Sequence, residues 1–341
     1  MPTRPTSRDI AEAAGVSQAT VSRALRNSAL VRPETRKRIM RIARQMNYRV
    51  NRQAAGLRSQ QSRTLALLLF DEGPASDASM INPFFLSMLS SITRAAAGVG
   101  YDVLVSFQQL SNHWHARYEG SHTADGIILL GYGDYLSYRE KLEALVDAQA
   151  HFIIWGPIMA DQPGHSLGCD NLNGARQAAA HLLSRGRRRV AFLGEASERF
   201  PEFRLRHAGY AQVLAEAGLG ADPALCIDAE SQEDSGYRAA EELLRSGRDF
   251  DAVFAASDLI AIGAMRALKE AGRAVPQDVA VVGFDDISAA AYVVPRLTTI
   301  RQDTSLAGSR LVENLVALIE GETVESSLLE PELIVRESCG G

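Results

Sequence analysis

The segment from Gln18 to Leu25 begins with side chains that can read the edges of DNA base pairs. Gln18 can form two hydrogen bonds with adenine, the methyl group of Ala19 can contact thymine, and Arg23 can bind guanine through its guanidinium group. These three residues share one side of the segment at helical spacing, while an apolar side begins at Val21. We therefore expect Gln18, Ala19 and Arg23 to make base contacts.

Short hydroxyl and amide side chains surround these positions and can bind phosphate oxygens, which fixes a protein on DNA without reading its sequence. The first 63 residues contain thirteen arginines and one lysine against three acidic residues, a net charge of +11, whereas the remainder carries −16. This asymmetry is expected when a basic module binds a polyanion and an acidic body does not. The predicted phosphate contacts are Thr6, Ser17, Thr20, Ser22, Asn27 and Thr35.

Capping residues divide the basic segment into three short helices. Ser7 can cap the first helix, Gly15 can end it with a positive φ angle, and Pro33 suits the first turn of the third. Two short helices around a glycine turn predict a helix-turn-helix, whose second helix lies in the major groove. We expect an all-α DNA-binding domain over residues 1–49 and a polar hinge or linker over 50–62.

The rest of the chain alternates between short apolar runs and amphipathic helical stretches. This alternation predicts an α/β body with parallel sheets and helices on both faces. A body of about 280 residues exceeds one open sheet, so we expect a domain over 63–341 with two lobes, one of about 63–168 and 297–328 and one of about 169–296 and 329–341. The predicted strands are Leu65–Phe70, Val103–Phe107, Ile127–Leu130, Phe152–Trp155, Val190–Leu193, Ala252–Ala255 and Val279–Phe284.

Polar and aromatic residues follow several of these strands, and ligands of doubly wound sheets bind beyond the carboxyl ends of strands. Aromatic faces beside carboxylates and amides suit a carbohydrate, because rings stack on sugar C–H surfaces and polar groups bind hydroxyls. A purine is the alternative, since Trp155, Phe84 and Phe85 would stack equally well on a base. The strand-end candidates are Phe70–Asp71, Phe107–Gln108, Gly131–Tyr132, Trp155–Gly156, Ser257–Asp258 and Asp285–Asp286.

Several other kinds of protein are disfavoured. The longest apolar run, Leu65–Phe70, has about six residues against the roughly 20 of a membrane-spanning helix, and Met1–Arg8 lacks an apolar secretory stretch. We therefore expect a cytoplasmic protein without a membrane partner. Cys169, Cys226 and Cys339 are widely spaced, which favours reduced thiols over disulfides or a zinc site. No cofactor is expected.

The sequence GHSLG at Gly164–Gly168 formally fits the GxSxG nucleophile elbow of hydrolases. The preceding ADQPG is turn-like, the following CDNLNG does not predict an immediate helix, and His181 and His207 follow Ser166 too closely for the usual residue order. A serine hydrolase using Ser166 is thus a remote alternative, and we expect no catalytic residues. Three histidines at 113, 115 and 122 lack acidic or cysteine ligands at regular spacing, so no metal site is expected.

The string TSRDIAEAAGVSQATVSRAL, Thr6 to Leu25, resembles the DNA-binding start of the lactose-repressor (LacI/GalR) family of bacterial transcription regulators. The resemblance continues through VRPETRKRIMRIARQMNY to AVFAASDLIAIGAMRAL, DVAVVGFDD and PRLTTIRQD, so it spans almost the whole chain. It implies a homodimer, associated with the nucleoid when bound to DNA, whose paired helix-turn-helix modules bind a near-palindromic operator. It also implies a periplasmic-binding-protein-like body whose two lobes close on a small ligand.

The same resemblance implies roles for residues of the linker and the body. Leu57 matches a leucine that relatives insert into the minor groove at the operator centre, with Asn51 and Ala54 beside it. In the body, Arg206, Asp258, Asp285 and Gln302 match effector-contacting positions, and Phe84 and Phe85 match aromatic residues that pack on the ligand in some relatives. Together with the strand-end candidates, the expected effector residues are Asp71, Phe84, Phe85, Trp155, Arg206, Asp258, Asp285 and Gln302.

Three positions depart from the family pattern. Arg26 stands where asparagine is usual, Val50 replaces a proline at the start of the hinge, and Ser257 replaces asparagine, so the recognised hydroxyl pattern can differ. We expect a dimeric repressor whose sugar ligand lowers operator affinity; a purine corepressor would reverse that sign. The chain ends at SCGG without a heptad pattern, which predicts a dimer rather than a coiled-coil tetramer.

Overall fold

The chain folds into two compact units, and the boundary between them lies between Ser62 and Arg63. The structure, a computed structural model, describes residues 5–25, 28–46, 48, 61–70, 81–108, 114–131 and 134–340. Among these residues, no helix combines the length and the apolar character needed to cross a membrane.

In its described part, the first unit forms three helices, α1 (Ser7–Ala14), α2 (Gln18–Leu25) and α3 (Pro33–Gln45). Helix α1 is capped by Thr6 rather than by Ser7, so the predicted cap is wrong by one residue. The reason is a capping box: Thr6 accepts from the backbone N–H of Asp9, and the Asp9 carboxylate accepts from the N–H of Thr6 at 2.7 Å. Gly15 ends α1 in the left-handed conformation, with φ 60°, as predicted. The core is formed by Ile10, Ala11, Ala14, Val21, Ala24, Val31, Ile39 and Ala43.

The described residues of the second unit form two six-stranded sheets, one in each lobe. The first has the order β11-β5-β4-β3-β1-β2 and is parallel throughout, and the second has the order β12-β10-β9-β8-β6-β7 with only the β10–β12 pair antiparallel. The strands are β1 Thr64–Phe70, β2 Asp102–Gln108, β3 Gly126–Leu130, β4 Phe152–Trp155, β5 His165–Cys169, β6 Val190–Leu193, β7 Cys226–Ile227, β8 Ala252–Ala255, β9 Ala280–Asp285, β10 Thr298–Arg301, β11 Ser327–Leu329 and β12 Glu332–Ile334.

Helices cover the faces of both sheets, as parallel strands require. They are α4 Pro83–Gly98, α5 Trp114–Arg117, α6 Tyr135–Asp147, α7 Asn171–Ser184, α8 Pro201–Glu216, α9 Glu233–Arg245, α10 Asp258–Glu270 and α11 Thr304–Ile319, with 3₁₀ turns at Pro223–Leu225 and Ser288–Ala291. The predicted architecture of a helix-turn-helix module with a two-lobed α/β body is confirmed. All seven predicted strands are present within one or two residues of the expected bounds.

The chain passes between the lobes three times, and one of these crossings differs from our expectation. It leaves the first sheet after β5, returns after β10, and crosses again between β11 and β12. We expected the return at residue 297, but Thr298–Arg301 pairs with β9 and β12 in the second sheet, so the return follows Arg301. Helix α11 then packs closely on α4, where a Cβ atom added to Gly308 would lie 2.5 Å from Ser91 Cβ.

Candidate functional site

The exposed side of α2 presents the three predicted base-reading residues. Gln18, Ala19 and Arg23 are exposed, whereas Val21 and Ala24 are buried in the core of the three-helix unit. An amide, a methyl group and a guanidinium on one face of a helix have the chemistry that major-groove recognition uses.

Hydroxyl groups at the starts of α1 and α2 make local hydrogen bonds. Ser7 Oγ accepts from Gln18 Nε2 at 2.7 Å, which joins the two helices. The hydroxyls of Ser17 and Thr20 lie 2.8 Å apart, and Ser17 Oγ accepts from the backbone N–H of Thr20 at 3.2 Å. Thr6, Ser17 and Thr20 therefore hold helix starts, and their phosphate contacts stay predictions.

The turn between α2 and α3 is held by Arg36, which the sequence did not single out. Its Nη2 donates to the carbonyl oxygen of Ser28 at 2.5 Å and to that of Val31 at 3.3 Å. This fixes the turn that sets α3 against the two preceding helices. Of the remaining predicted phosphate contacts, Ser22 and Thr35 are half-buried, and Asn27 lies outside the described residues.

Arg206, on α8, is the centre of a buried polar cluster in the body. Its Nε donates to Asn171 Oδ1 at 2.8 Å, and its Nη1 donates to the carbonyl oxygen of Ala256 at 2.5 Å. The guanidinium carbon lies 3.7 Å from the ring centre of Phe284, a cation–π contact. Nη1 is also 3.6 Å from Asp285 Oδ1, so two buried opposite charges face each other.

Asp285 ends β9 in a backbone conformation that non-glycine residues rarely adopt, with φ 117°. Its Oδ1 accepts from Gln302 Nε2 at 2.7 Å, which connects the end of β9 to the crossing between the lobes. Both residues line a cavity of about 150 Å³ together with Phe84. The structure therefore brings Arg206, Asp285, Gln302 and Phe84 into one region, as the predicted effector site requires. The cavity is completed by Ser87, Asp286, Ile287, Arg301, Asp303, Thr304 and Ser305.

Three buried aromatic rings lie beside this cavity. The ring centres of Phe84 and Phe85 on α4 are 5.2 Å apart in an edge-on arrangement, and Trp155 at the end of β4 is 6.2 Å from Phe84. All three rings also belong to the hydrophobic core, and each is at most 5% exposed. Only Phe84 among them lines the cavity, so it is the ring that a ligand there would meet.

Asp258 has both carboxylate oxygens bound within the protein. Oδ1 accepts from the hydroxyl of Thr299 at 2.5 Å, and Oδ2 accepts from the backbone N–H of Ile287 at 2.9 Å. Burial, together with the nearby charge of Asp285, raises the pKa of Asp258 well above its usual range. These bonds hold strand β10 and the segment that follows β9, which gives Asp258 a structural task at the predicted effector site.

A hydrogen-bonded chain of three side chains joins the lobes, and the sequence did not indicate it. Asn82 caps α4 of the first lobe through the N–H of Phe84, and its Nδ2 donates to Ser231 Oγ of the second lobe at 3.1 Å. Ser231 Oγ donates to Ser257 Oγ at 2.9 Å, and Ser257 caps α10 through the N–H of Ile260. Two helix starts from different lobes are therefore tied together by buried polar groups.

Glu202 is a second residue that sequence reasoning missed. It lies in the first turn of α8 in the second lobe, and its Oε1 is 3.6 Å from the position that a Cβ atom would take on Gly156 of the first lobe. Burial raises the pKa of Glu202 to about 7, although the positive charge of Arg206 opposes this rise. An acidic residue in a first turn is common enough that its position gave no functional signal.

Comparison with known proteins distinguishes between a DNA-binding regulator and an enzyme. Residues 6–51 match the family of bacterial regulatory proteins, lacI family, and residues 179–339 match a periplasmic binding protein-like domain. The HTH-type transcriptional regulator CelR of Thermobifida fusca is 34% identical over 343 residues, covering 98% of each chain. The chain belongs to the lacI family of bacterial regulatory proteins.

Two solved structures show the same fold as this lacI-family chain. A complex of the transcriptional regulator CelR with cellobiose has a TM-score of 0.73 and 31% identity, and the match covers 98% of this chain and 100% of the other. A lac repressor dimer bound to operator and the anti-inducer ONPF has a TM-score of 0.84 and 26% identity over 99% of both chains. The lacI-family relatives are transcriptional regulators, and this chain is a DNA-binding transcriptional regulator rather than an enzyme.

The remote hydrolase alternative fails for a reason that differs from the one we gave. Helix α7 begins at Asn171, directly after β5 ends at Cys169, so our expectation of no immediate helix after the motif is wrong. Ser166, however, is the second residue of β5 and is buried, whereas a nucleophile elbow exposes its serine at the turn between strand and helix. Within the described residues, no group of three His, Cys, Asp or Glu side chains could hold a metal ion.

Four further predicted site residues of this lacI-family regulator lie outside the described residues. They are the hinge positions Asn51, Ala54 and Leu57, and the effector candidate Asp71.

Proposed function

We propose that this lacI-family regulator is a repressor that binds a near-palindromic operator as a homodimer and is released from it by a carbohydrate. The observation that carries the effector class is the cluster of Arg206, Asp285 and Gln302 beside the ring of Phe84. A guanidinium, a carboxylate and an amide place donors and acceptors for neighbouring sugar hydroxyls in one region, and the ring can pack on sugar C–H groups. The cellobiose complex of the relative CelR supports the same class.

An exposed apolar surface on the first lobe supports the homodimer. Leu86 on α4 is 52% exposed, Val99 directly after α4 is 46% exposed, and Phe107 on β2 is 55% exposed. Strand β2 is the outer strand of its sheet, and exposed apolar edges are normally covered by a partner. A second copy related by a two-fold axis would cover this surface and present two α2 helices to two half-sites.

The hinge supplies the proposed connection between ligand and DNA. Leu57, with Asn51 and Ala54, would enter the minor groove at the operator centre, where an apolar side chain unstacks a base step and bends the duplex. Ligand binding between the lobes would change how two copies present their hinges, and operator affinity would fall. By linkage, the sugar must then bind the DNA-free protein more tightly by the same factor.

The test begins with selection of a binding sequence from a random DNA library, followed by fluorescence anisotropy on that sequence. The operator complex is then titrated with cellobiose, glucose, lactose and guanine. A sugar that weakens the complex, together with a matching calorimetric affinity for the free protein, is the expected result. A purine that tightens the complex would overturn both the effector class and the sign, and a selection without any enriched sequence would refute the proposed operator.

A further inference from the structure

A larger cavity lies between the lobes, and none of its lining residues is among the predicted effector residues. It has a volume of about 370 Å³ and is lined by Tyr135, Arg139 and Asp161 from the first lobe and by Arg204 and Leu205 from the second. The lobes meet beside it, because the N–H of Tyr135 donates to the carbonyl oxygen of a second-lobe residue, Arg199, at 2.9 Å. A ligand in this cavity would contact both lobes at once.

Tyr135 gives the cavity a buried hydrogen-bonding group. Its side chain is 2% exposed, and its hydroxyl has no hydrogen-bond partner among the residues that the structure describes. Burial raises the pKa of Tyr135, and the charges that also act on it are those of Arg139, Glu143 and Asp161. Tyr135, Arg139 and Asp161 all line the cavity. A buried hydroxyl without a partner is costly, and a ligand acceptor would remove that cost.

Two guanidinium groups face the same cavity and hold only weak partners. Arg139 Nε is 3.2 Å from Glu143 Oε1, Arg139 Nη2 donates to the carbonyl oxygen of Asp161 at 3.3 Å, and Arg204 Nη1 is 3.7 Å from Glu198 Oε1. All four side chains are more than 40% exposed, and exposed ion pairs of this kind contribute little. Both arginines can therefore exchange these partners for a ligand, and together they outweigh the single carboxylate of Asp161 in the lining.

We propose that this cavity binds an anionic oxygen group, a phosphate or a carboxylate, carried by a small molecule whose body packs on Ile158 and Leu205. The tyrosine hydroxyl and the two guanidinium groups are the available donors, and guanidinium binds such oxygens through charge-assisted hydrogen bonds. Because Arg139 and Arg204 belong to different lobes, the ligand holds the lobes together. The inference goes beyond the proposed function, since the sugar site around Arg206 does not depend on it.

The test measures binding to the full chain by calorimetry, with glucose 6-phosphate and glucuronate as probes and glucose as the neutral comparison. At least one anionic probe should bind tenfold or more tightly than glucose, because a charge-assisted hydrogen bond is typically worth about a factor of ten or more. Arg204→Gln should abolish this preference and leave glucose affinity unchanged. Tyr135→Phe should weaken the anionic probe by about fivefold, the size of one neutral hydrogen bond.

Two control variants separate these effects from general damage. Tyr138→Phe alters another buried tyrosine, whose ring centre is 5.4 Å from that of Tyr135 but which does not line the cavity. Arg176→Gln removes an exposed guanidinium that pairs with Glu216 away from the cavity. Both should keep the preference for the anionic probe.

The outcomes decide the proposal and the source of the anion. Preference for glucose 6-phosphate alone identifies a phosphate, and preference for glucuronate alone identifies a carboxylate. Equal affinity for charged and neutral probes, or a preference that survives Arg204→Gln, overturns the proposal. Operator binding is measured on the same preparations, so a protein that binds DNA and responds to a neutral sugar without any anion preference refutes this second site alone.

Discussion

The pH dependence of the free energy of unfolding should show that the carboxyl group of Glu202 is buried between the lobes. Its pKa is raised from 4.5 to about 7 by burial. The folded state therefore binds more protons than the unfolded state between these pH values, and stability falls as the pH rises through them. One pKa unit corresponds to about 1.4 kcal/mol. The titration of Glu202 should therefore make the free energy of unfolding about 3 kcal/mol lower above pH 7 than below pH 4.5. Because Glu202 is only 7% exposed, solvent screening reduces this value little.

The variant Glu202→Gln removes the titration and keeps the shape of the side chain. Between pH 5 and pH 8 its free energy of unfolding should rise relative to that of the wild-type chain by roughly 2 kcal/mol, since part of the loss already occurs below pH 5. Urea unfolding followed by tryptophan fluorescence suits the measurement, because both tryptophans, Trp114 and Trp155, belong to the second unit.

The matched control for this measurement is Glu198→Gln. Glu198 precedes α8, and its side chain is 77% exposed, so its removal should leave the pH dependence as it is in the wild-type chain. If the curves of wild type and Glu202→Gln run parallel from pH 5 to pH 8, the carboxyl group is not desolvated between the lobes and the reasoning is refuted.

Three other predictions concern DNA, ligand and closure. Arg23→Ala should cost about 1–3 kcal/mol on the selected operator and little on random DNA; an equal loss on both in anisotropy titrations would show a phosphate contact instead. Asp285→Asn should lower sugar affinity at least tenfold in calorimetry and leave operator affinity intact, and unchanged sugar affinity would remove Asp285 from the site. Ser231→Ala breaks the hydrogen bond from Asn82 without removing the cap of α4. The ligand-free body should then open, and its radius of gyration should increase in solution scattering. An unchanged radius of gyration would contradict the proposed role of the Asn82–Ser231–Ser257 hydrogen bonds in holding the lobes together.

The apolar runs predicted the central strands well because parallel strands covered on both faces are continuous hydrophobic segments. The strands that were missed are short or partly polar: β5 reads HSLGC, β7 has two residues, β11 and β12 have three each, and β10 reads TTIR. Their position depends on pairing at the edge of a sheet or near the crossings, which no local pattern encodes. The misplaced return to the first lobe has the same cause, because only the register of β10 with β9 shows where Thr298–Arg301 belongs.

The residues of the candidate site were predictable where their local sequence pattern indicates a function. The exposed face of α2 followed from helical spacing, and Asp285 followed from its place at a strand end. Arg206 was suggested only by the family resemblance, since an arginine within a helix is usually a solvated side chain. Asp258 was predicted to face the effector, yet one of its oxygens accepts from Thr299 on β10 and the other from Ile287 after β9, contacts that depend on partners distant in the sequence.

Two features of the contact between the lobes have opposite effects: one favours the closed arrangement of the body and the other the open arrangement. The chain from Asn82 through Ser231 to Ser257 supplies hydrogen bonds that exist only when the lobes are together, whereas closure also takes the carboxyl group of Glu202 out of water. Near neutral pH the cost of burying the Glu202 carboxyl group offsets part of the stabilisation from these hydrogen bonds. The open and closed arrangements of the lobes should therefore differ in free energy by only a few kcal/mol. A ligand shifts such an equilibrium by its difference in affinity for the two states, and a modest difference then suffices. A balance of this kind is what a ligand-controlled regulator requires.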